Sequence, residues 1–266
     1  MRIRRTTFVI TQKCTLKCKL CLAFMPYYKN PVNTTLEEAE RIVNNYFNIV
    51  DEVQIFSITG GEPLVNPELV NIIKKVLTYR DKITNTIDIV TNGTLMFRDD
   101  LLELLEKNND KIRIIISNYG KELSTKMSQI EDALVKRDIM YRIQNYASES
   151  DEWTYNGWVD FSDHSLKHDT EDKLIEQGKK CIFRLGHYYV INDGELHPCS
   201  RQYWRMREGI MEKDEQWYID LNVKDLDVQS ATQKLKQLEE TKYLKSCGYC
   251  NGVYNGIKRY KPAEQL

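Results

Sequence analysis

The sequence CTLKCKLC at residues 14–21 decides how the chain is expected to fold and bind. Cys14, Cys18 and Cys21 form a C-x3-C-x2-C array there, after the β-branched run TTFVIT at residues 6–11, which predicts a short strand entering a loop. Three thiolates can hold three corners of a [4Fe-4S] cube and leave one iron open, whereas a closed electron-transfer cluster usually takes four cysteines. The ordinary alternative is three small apolar side chains on one helix face, since free cysteine is commonly buried.

A second motif, Gly60-Gly61-Glu62-Pro63, follows an apolar run that predicts a buried strand over Val53–Thr59. Glycines at a strand end let the backbone approach a ligand at a distance where a side chain would clash. A glycine pair by itself more often marks a turn before a helix. Its position after the second predicted strand, with the cysteine array after the first, makes it informative.

In this order the two motifs resemble the signature of the radical SAM superfamily. The resemblance implies that the three cysteines bind a [4Fe-4S] cluster, that S-adenosylmethionine chelates its open iron, and that the Gly-Gly-Glu-Pro motif contacts the methionine amine. With an electron from a donor such as flavodoxin or ferredoxin, such a site releases a 5'-deoxyadenosyl radical, which abstracts hydrogen from a substrate. One departure is Leu20, where family members most often carry an aromatic residue, so weaker packing against adenine is expected.

Apolar strands and amphipathic helices alternate along the first 146 residues. After the first strand, strands are predicted at Val53–Thr59, Ile87–Val90, Ile112–Ser117 and Ile139–Tyr146. Helices are predicted from a capping box at Thr35 to about Val50, from Pro67 through Val76, over Leu101–Leu105 and from Ser124 to Arg137. This alternation favours parallel βαβ units, so the expected fold is α/β, a partial open (β/α) barrel with its ligand site at the carboxyl ends of the strands.

Three polar residues at predicted strand ends are candidates for cofactor binding. Asn92 lies in the sequence Thr-Asn-Gly after the third strand, where similar enzymes place this tripeptide near the cofactor. Ser117 and Asn118 end the fourth strand, where members of the superfamily often place a ribose-binding hydroxyl or amide. A tight Asn-Gly turn and a helix cap are the equal alternatives for Asn92 and Ser117.

The remaining cysteines are Cys181, Cys199, Cys247 and Cys250, a C-x17-C pair and a distant C-x2-C pair. Between the first two, strand-like runs flank an Asn-Asp-Gly turn and predict a β-hairpin over residues 188–197. By themselves four such thiolates favour a structural zinc site. Beside a radical SAM core they resemble the truncated auxiliary domain called twitch, which implies a second [4Fe-4S] cluster. We therefore expect a core at residues 1–170 and a twitch domain at residues 171–266.

Composition limits the classes of protein that the chain can represent. Its 266 residues are 41% hydrophobic with a formal net charge of −1, so nothing predicts a bulk attraction to nucleic acid or to an anionic membrane. No apolar stretch approaches the ~20 residues of a membrane span, and a cytoplasmic location is expected. An odd number of cysteines, seven, does not suit a disulfide framework. Three plus four ligands use all of them.

The layout resembles the cyclitol dehydrogenase of butirosin biosynthesis, which implies oxidation of a small hydroxylated substrate such as a sugar, sugar nucleotide or cyclitol. The substrate-derived electron would then pass to the auxiliary cluster. One alternative is a ribosomal-peptide maturase, although epimerisation usually needs a free cysteine and the first strand begins too near Met1 for a preceding recognition domain. Another is a non-catalytic iron-sulfur or zinc protein.

Candidates for the base that takes the alcohol proton are Asp160, Asp163, His164 and His187. Each of them also suits an ordinary surface or structural position.

Two further clusters could contact substrate. Trp153, Tyr155, Trp158 and Phe161 form an aromatic patch that could line a sugar-sized pocket or simply belong to the core. The basic run at Arg201–Arg207 could bind a phosphate, and a solvated rim is its simpler interpretation.

Overall fold

The fold is built on one sheet that extends through most of the chain. A computed structural model describes residues 1–147 and 153–266. The strands are β1 (Arg2–Val9), β2 (Glu52–Thr59), β3 (Ile83–Thr91), β4 (Ile112–Asn118), β5 (Tyr141–Asn145), β6 (Tyr188–Asn192), β7 (Glu195–His197) and β8 (Ile219–Asp220). They are ordered β5-β4-β3-β2-β1-β6-β7-β8. Strands β1 to β6 are parallel to one another, whereas β7 is antiparallel to both β6 and β8.

The helices lie between these strands along the chain, except for the last, which follows β8. They are α1 (Leu36–Ile49), α2 (Leu69–Leu77), α3 (Asp99–Glu106), α4 (Met127–Lys136), α5 (Glu171–Lys180), α6 (Ile182–Leu185), α7 (Ser200–Arg207) and α8 (Val228–Glu240). The capping box that opens α1 is present, since the Glu38 amide donates to Thr35 Oγ1 at 3.3 Å and the Thr35 amide donates to Glu38 Oε2 at 2.8 Å. None of the described helices is long and apolar enough to cross a membrane.

Alternation along the strands separates an apolar face from a polar one. Ile87 and Ile89 of β3 belong to the main core, which also takes residues from α1 to α4 and from α8. Asp88 lies between them on the opposite face, fully buried, and accepts hydrogen bonds from Arg5 Nη2 at 2.9 Å and from Arg113 Nε and Nη2 at 3.0 Å. The polar face of the sheet therefore carries an ion-pair network centred on a buried carboxylate.

The expected α/β partial barrel is confirmed, because β5 and β8 form the two outer strands and the sheet does not close. The hairpin is also present, with Asn192 opposite Glu195. The sequence did not predict that β6 would lie parallel to β1, with Thr7 opposite Val190. The sheet is thus continuous across residue 170, and the expected division into two domains stays a prediction.

Several element boundaries differ from expectation; β5, for example, spans Tyr141–Asn145 rather than residues 139–146. β3 begins at Ile83 rather than Ile87, because the polar residues before Ile87 still pair with β2. α4 begins at Met127 rather than Ser124. The Ser124 hydroxyl lies 2.8 Å from the Asn92 carbonyl oxygen and 3.1 Å from that of Ser117, so it joins the ends of β3 and β4 instead of continuing a helix.

Candidate cofactor site and second cysteine site

The first cysteine array lies in the loop after β1, at the carboxyl edge of the parallel strands. Burial raises the pKa of Cys14 to about 12 and that of Cys18 to about 11, and proximity of the other thiols adds to both shifts. The Cys14 sulfur accepts a hydrogen bond from the Leu16 amide at 3.4 Å, and Gln265 Nε2 donates to the Cys18 sulfur at 3.2 Å. Buried thiols that accept N–H hydrogen bonds form a donor set that a positively charged metal group would stabilise as thiolates.

Gly60 and Gly61 hold the end of β2 directly against this loop. A Cβ atom on Gly60 would lie 2.5 Å from the Thr11 carbonyl oxygen, and one on Gly61 would lie 2.6 Å from Cys14 Cβ. The Gly61 amide donates to the Thr11 carbonyl at 2.9 Å, and the Glu62 amide donates to the Lys13 carbonyl at 2.9 Å. The close approach expected of these glycines is therefore to the cysteine loop itself, and it places Glu62 beside the array.

Glu62 is fully buried and ties three loops together. Its Oε2 accepts hydrogen bonds from the Asn92 amide at 2.7 Å and from Thr91 Oγ1 at 3.1 Å, while Oε1 accepts one from the Leu64 amide at 3.2 Å. Burial raises the pKa of Glu62 to about 7 despite these donors. A buried carboxylate in this state would be stabilised by a cationic ligand such as an amine, which is the group that the motif is expected to bind.

Asn92 joins the same group through its side chain. Its Nδ2 donates to Thr15 Oγ1 at 3.0 Å and lies 3.6 Å from the Cys14 sulfur. The structure thus brings Cys14, Gly61, Glu62 and Asn92 together. Pro63 begins the short turn after Glu62 and is buried.

Ser117 and Asn118 lie at the same edge, one strand further along. Ser117 is buried. The side chain of Asn118 donates from Nδ2 to Asn145 Oδ1 at 3.1 Å, and its Oδ1 accepts from the backbone amide of Gly120 at 2.9 Å. The Ser124 hydroxyl connects this strand end to Asn92. Their contact with a cofactor stays a prediction.

An aromatic cluster covers the strand ends of β4 and β5. Tyr119 stacks on Tyr146 with ring centroids 5.4 Å apart, and Trp158 meets both rings edge-on at 5.7 and 6.1 Å. The sequence analysis did not identify these two tyrosines, although each is the first residue after a strand. The aromatic patch predicted around Trp158 is not one cluster, since Phe161 packs against Arg201 and Tyr155 is exposed.

The other four cysteines line a single cavity. Cys181 follows α5, Cys199 precedes α7, and Cys247 and Cys250 lie in the short turn after α8. All four are buried. Burial, together with the three neighbouring thiols, raises the pKa of Cys247 to about 12.

Two arginines of α7 line the same cavity. Arg201 and Arg205 are each 1% exposed, so the interpretation of this run as a solvated rim is wrong for both. The Arg201 guanidinium lies 4.3 Å above the Phe161 ring and 4.9 Å from that of Phe183. Although burial acts in the opposite direction, these guanidinium groups lower the pKa of Cys250. The positive charge of this run predicted exposure, but charge alone does not determine whether a side chain is exposed.

The described ranges contain no group of three or more histidine, cysteine, aspartate or glutamate side chains arranged to hold one metal ion. A cubane distributes its ligands over separate iron atoms, so its thiolates surround a volume instead of meeting at one point. Four thiols around one cavity are compatible with such a group.

An apolar contact zone connects the two cysteine sites. Phe24, three residues after Cys21, stacks on Trp204 of α7 with centroids 4.3 Å apart, and the His164 ring lies 5.0 Å from Trp204. One hydrophobic cluster includes Phe24, Trp204 and Cys250, and Cys14 and Cys21 pack against it. The two sites are therefore held in fixed relation by packed side chains.

The candidate bases occupy different places. His164 is packed against Phe24 and Trp204, and burial lowers its pKa. His187 precedes β6 at the opposite edge of the sheet, where Nδ1 lies 2.6 Å from Glu239 Oε1. Asp160 lines an open cleft near the first cysteine loop.

Asp163 lines the same cleft but is held as an anion. Hydrogen bonding by the Ser165 amide, with a further contribution from Lys167, lowers the pKa of Asp163 to about 2. A carboxylate with so low a pKa is a weak proton acceptor. The structure therefore leaves Asp160, which lines the open cleft, and His164, which packs against Phe24 of the loop after Cys21, as candidates on this side of the sheet.

Solved structures with the same fold extend over nearly the whole chain. The structure titled BtrN in complex with AdoMet and 2-DOIA superposes with a TM-score of 0.54 at 14% identity and covers 97% of both chains. Native anSMEcpe with bound AdoMet gives a TM-score of 0.57 at 14% identity, covering 88% of this chain and 82% of the other. At this identity the likeness concerns the fold.

Curated relatives match a shorter part. An uncharacterized protein of Methanocaldococcus jannaschii is 30% identical over 113 residues, 42% of this chain and 34% of the relative. A GTP 3',8-cyclase of Campylobacter jejuni subsp. doylei is 29% identical over 134 residues, 47% of this chain and 41% of the relative. The chain thus aligns with well under half the length of these relatives.

The family comparison identifies the part that carries the first site. The model of the radical SAM superfamily matches residues 8–143, just over half of the chain, and this span includes the cysteine array and the Gly-Gly-Glu-Pro motif. The resemblance expected from the two motifs is confirmed at the level of the superfamily. The chain belongs to the radical SAM superfamily.

Proposed function

We propose that the chain is a radical SAM oxidoreductase that removes hydrogen from a carbinol carbon of a small hydroxylated molecule, such as a sugar, sugar nucleotide or cyclitol. The observation that carries this proposal is the cavity lined by Cys181, Cys199, Cys247 and Cys250 with two buried arginines. It supports a second iron-sulfur cluster, which is the electron acceptor that such an oxidation requires.

The first site fits the cofactor of the superfamily. Cys14, Cys18 and Cys21 would hold the cluster, and the buried Glu62 carboxylate suits the amine of S-adenosylmethionine. When bound and reduced, this pair supplies the 5'-deoxyadenosyl radical that takes a hydrogen atom from the substrate. The chain's own contribution is to fix the loop geometry through Gly61 and to enclose the site with Tyr119, Tyr146 and Trp158.

The oxidation must balance after the hydrogen atom has left. Formation of the ketone then requires removal of one proton from the hydroxyl group and one electron from the carbon. Asp160 is the proposed proton acceptor, because it borders the open cleft and lies near enough to Tyr27 of the first loop to help raise that phenol's pKa, after the larger effects of burial and Cys21. The electron would pass to the second cysteine site, which packing connects to the first.

The iron content of the protein tests for the two proposed clusters. Anaerobically reconstituted protein should contain about eight irons per chain, and Cys247→Ala with Cys250→Ala should reduce this to about four. Cys14→Ala with Cys18→Ala and Cys21→Ala is the matched variant, which should also retain about four irons but lose cleavage of S-adenosylmethionine.

The substrate is tested by isotope transfer. A panel of cyclitols, sugars and sugar nucleotides carrying deuterium on the carbinol carbons should transfer label into 5'-deoxyadenosine and yield a ketone with the complete enzyme. The variant lacking Cys247 and Cys250 should still form 5'-deoxyadenosine but no ketone. About four irons and one zinc in the complete protein would contradict the proposal.

A peptide substrate is the second candidate. A structure titled native anSMEcpe with bound AdoMet and a peptide has a TM-score of 0.58 with this fold, at 13% identity. The open cleft lined by Asp160, Lys167, Tyr254 and Lys258 could accept an extended segment. Radical-dependent modification of a peptide, with no label transfer from any small molecule, would favour this candidate.

A further inference from the structure

Helix α7 presents two arginines to the second cysteine site. The helix begins immediately after Cys199, and Arg201 and Arg205 are four residues apart, so they lie on the same face. Both line the cavity that the four cysteines line. This arrangement gives the cavity two fixed positive charges as well as four potential thiolates.

Neither arginine has its hydrogen-bonding capacity met by the described part of the chain. Arg201 Nε and Nη1 and Arg205 Nε and Nη2 are buried without a hydrogen-bond partner there, although the Cys250 sulfur lies close to both guanidinium groups. A buried guanidinium that lacks an anion is strongly disfavoured. The unmet donors therefore indicate that negative charge lies in the cavity, on the thiolates of the four cysteines and on the group that they hold.

The two guanidinium groups are held in place by different contacts. Arg201 lies between the rings of Phe161 and Phe183, with Cζ 4.3 and 4.9 Å from their centroids. Arg205 Nη1 donates to the Ser246 carbonyl oxygen at 3.0 Å, next to Cys247. Packing thus limits the movement of either charge away from the cysteines.

We infer that Arg201 and Arg205 are the counter-charges of the cluster bound by the four cysteines and raise its reduction potential by donating N–H groups towards its sulfur atoms. This inference rests on the proposed function and adds the means by which the chain makes that cluster an electron acceptor. A [4Fe-4S] core in its oxidised state with four thiolates is doubly negative, and uptake of one electron makes it triply negative. Nearby positive charge stabilises the reduced form more than the oxidised form.

The electron balance follows from the oxidation already described. The substrate-derived radical loses one electron as its hydroxyl proton goes to the base, and the cluster gains that electron. A higher potential favours this transfer. Bound zinc would carry the same doubly negative charge with four thiolates but could not accept the electron.

The test measures the potential of the second site by itself. In protein carrying Cys14→Ala, Cys18→Ala and Cys21→Ala, a redox titration followed by electron paramagnetic resonance reports the remaining cluster. Arg205→Gln should lower the equilibrium constant for reduction by about tenfold, a shift of about 59 mV to lower potential. Arg201→Gln should shift it in the same direction.

Two further variants make the result decisive. Arg205→Lys keeps the charge and should shift the potential less than Arg205→Gln does. Arg207→Gln is the matched control on the same helix, because Arg207 bonds Tyr203 and Gln12 and does not line the cavity. Its potential should equal that of the parent protein.

Each outcome supports or overturns the counter-charge inference, and one of them also bears on the proposed function. Loss of iron from Arg205→Gln but not from Arg205→Lys supports a counter-charge, whereas equal loss from both overturns it. Iron retained with an unchanged potential in Arg201→Gln and Arg205→Gln overturns the inference and leaves the proposed function intact. Zinc in place of iron in the parent protein overturns both.

Discussion

Gly61→Ala should prevent assembly of the first cluster by pushing the end of β2 away from the cysteine loop. Gly61 does not have a positive φ, so alanine fits its backbone conformation and the cost comes from contact alone. The added Cβ would lie 2.6 Å from Cys14 Cβ and against the Lys13 carbonyl. The loop cannot move away without weakening the backbone hydrogen bonds of Gly61 and Glu62, both 2.9 Å long.

The expected cost follows from these contacts. Overpacking costs about 1–3 kcal/mol, and each weakened hydrogen bond about 1 kcal/mol. Reduced freedom of the unfolded chain returns about 0.4–1 kcal/mol. The net loss is about 3 kcal/mol, which lowers the melting temperature by roughly 5–10 °C.

The assay combines iron analysis with thermal unfolding of the metal-free, reduced protein. Gly209→Ala is the control, since nothing lies within 4 Å of its Cβ position and its φ of +70° gives a backbone penalty of about 1–2 kcal/mol without touching the cysteines. The control should bind its full complement of iron, and Gly61→Ala about four irons fewer. Full iron content and unchanged stability in Gly61→Ala would refute the argument that this glycine is required by the cysteine loop.

Three further changes have expected results. Because the folded pKa of Glu62 is raised to about 7, metal-free protein should lose up to about 3 kcal/mol of stability between about pH 4.5 and 7, and Glu62→Gln should remove that pH dependence in denaturant titrations. Asp88→Asn leaves Arg5 and Arg113 without their carboxylate and should cost about 3 kcal/mol, seen as a lower melting temperature. Asp160→Asn should reduce ketone formation at least about 10-fold while cleavage of S-adenosylmethionine continues, and an equal loss of both activities would contradict its assignment as the base.

The sequence predicted the parts of the site that depend on local order. Cys14, Cys18 and Cys21 lie within one loop, and Gly60 to Glu62 follow one strand, so their spacing and neighbours were sufficient. Placing Asn92 at the same edge required only that consecutive parallel strands end together. These predictions depend on short-range pattern and on the regularity of βαβ units.

The parts that depend on distant contacts were not predicted. The pairing of β6 with β1 joins residues about 180 positions apart, and no local feature specifies it. Tyr119 and Tyr146 become a cluster only through Trp158. Arg201 and Arg205 were expected on the surface, because their burial depends on four cysteines that come from three separate parts of the chain. The ligand sets themselves, and the roles of Ser117 and Asn118, stay predictions.

The contact between Cys18 and Gln265 bears on when the protein can be loaded during its synthesis. Gln265 Nε2 donates to the Cys18 sulfur, and the Lys19 amide donates to the Glu264 carbonyl at 2.7 Å, so the loop of the first cysteine array is completed by residues translated some 240 positions later. We therefore expect iron delivery to the first cysteine loop to follow the exit of Gln265 from the ribosome, and nascent chains stalled before Gln265 should acquire less iron than chains in which Gln265 has left the ribosome.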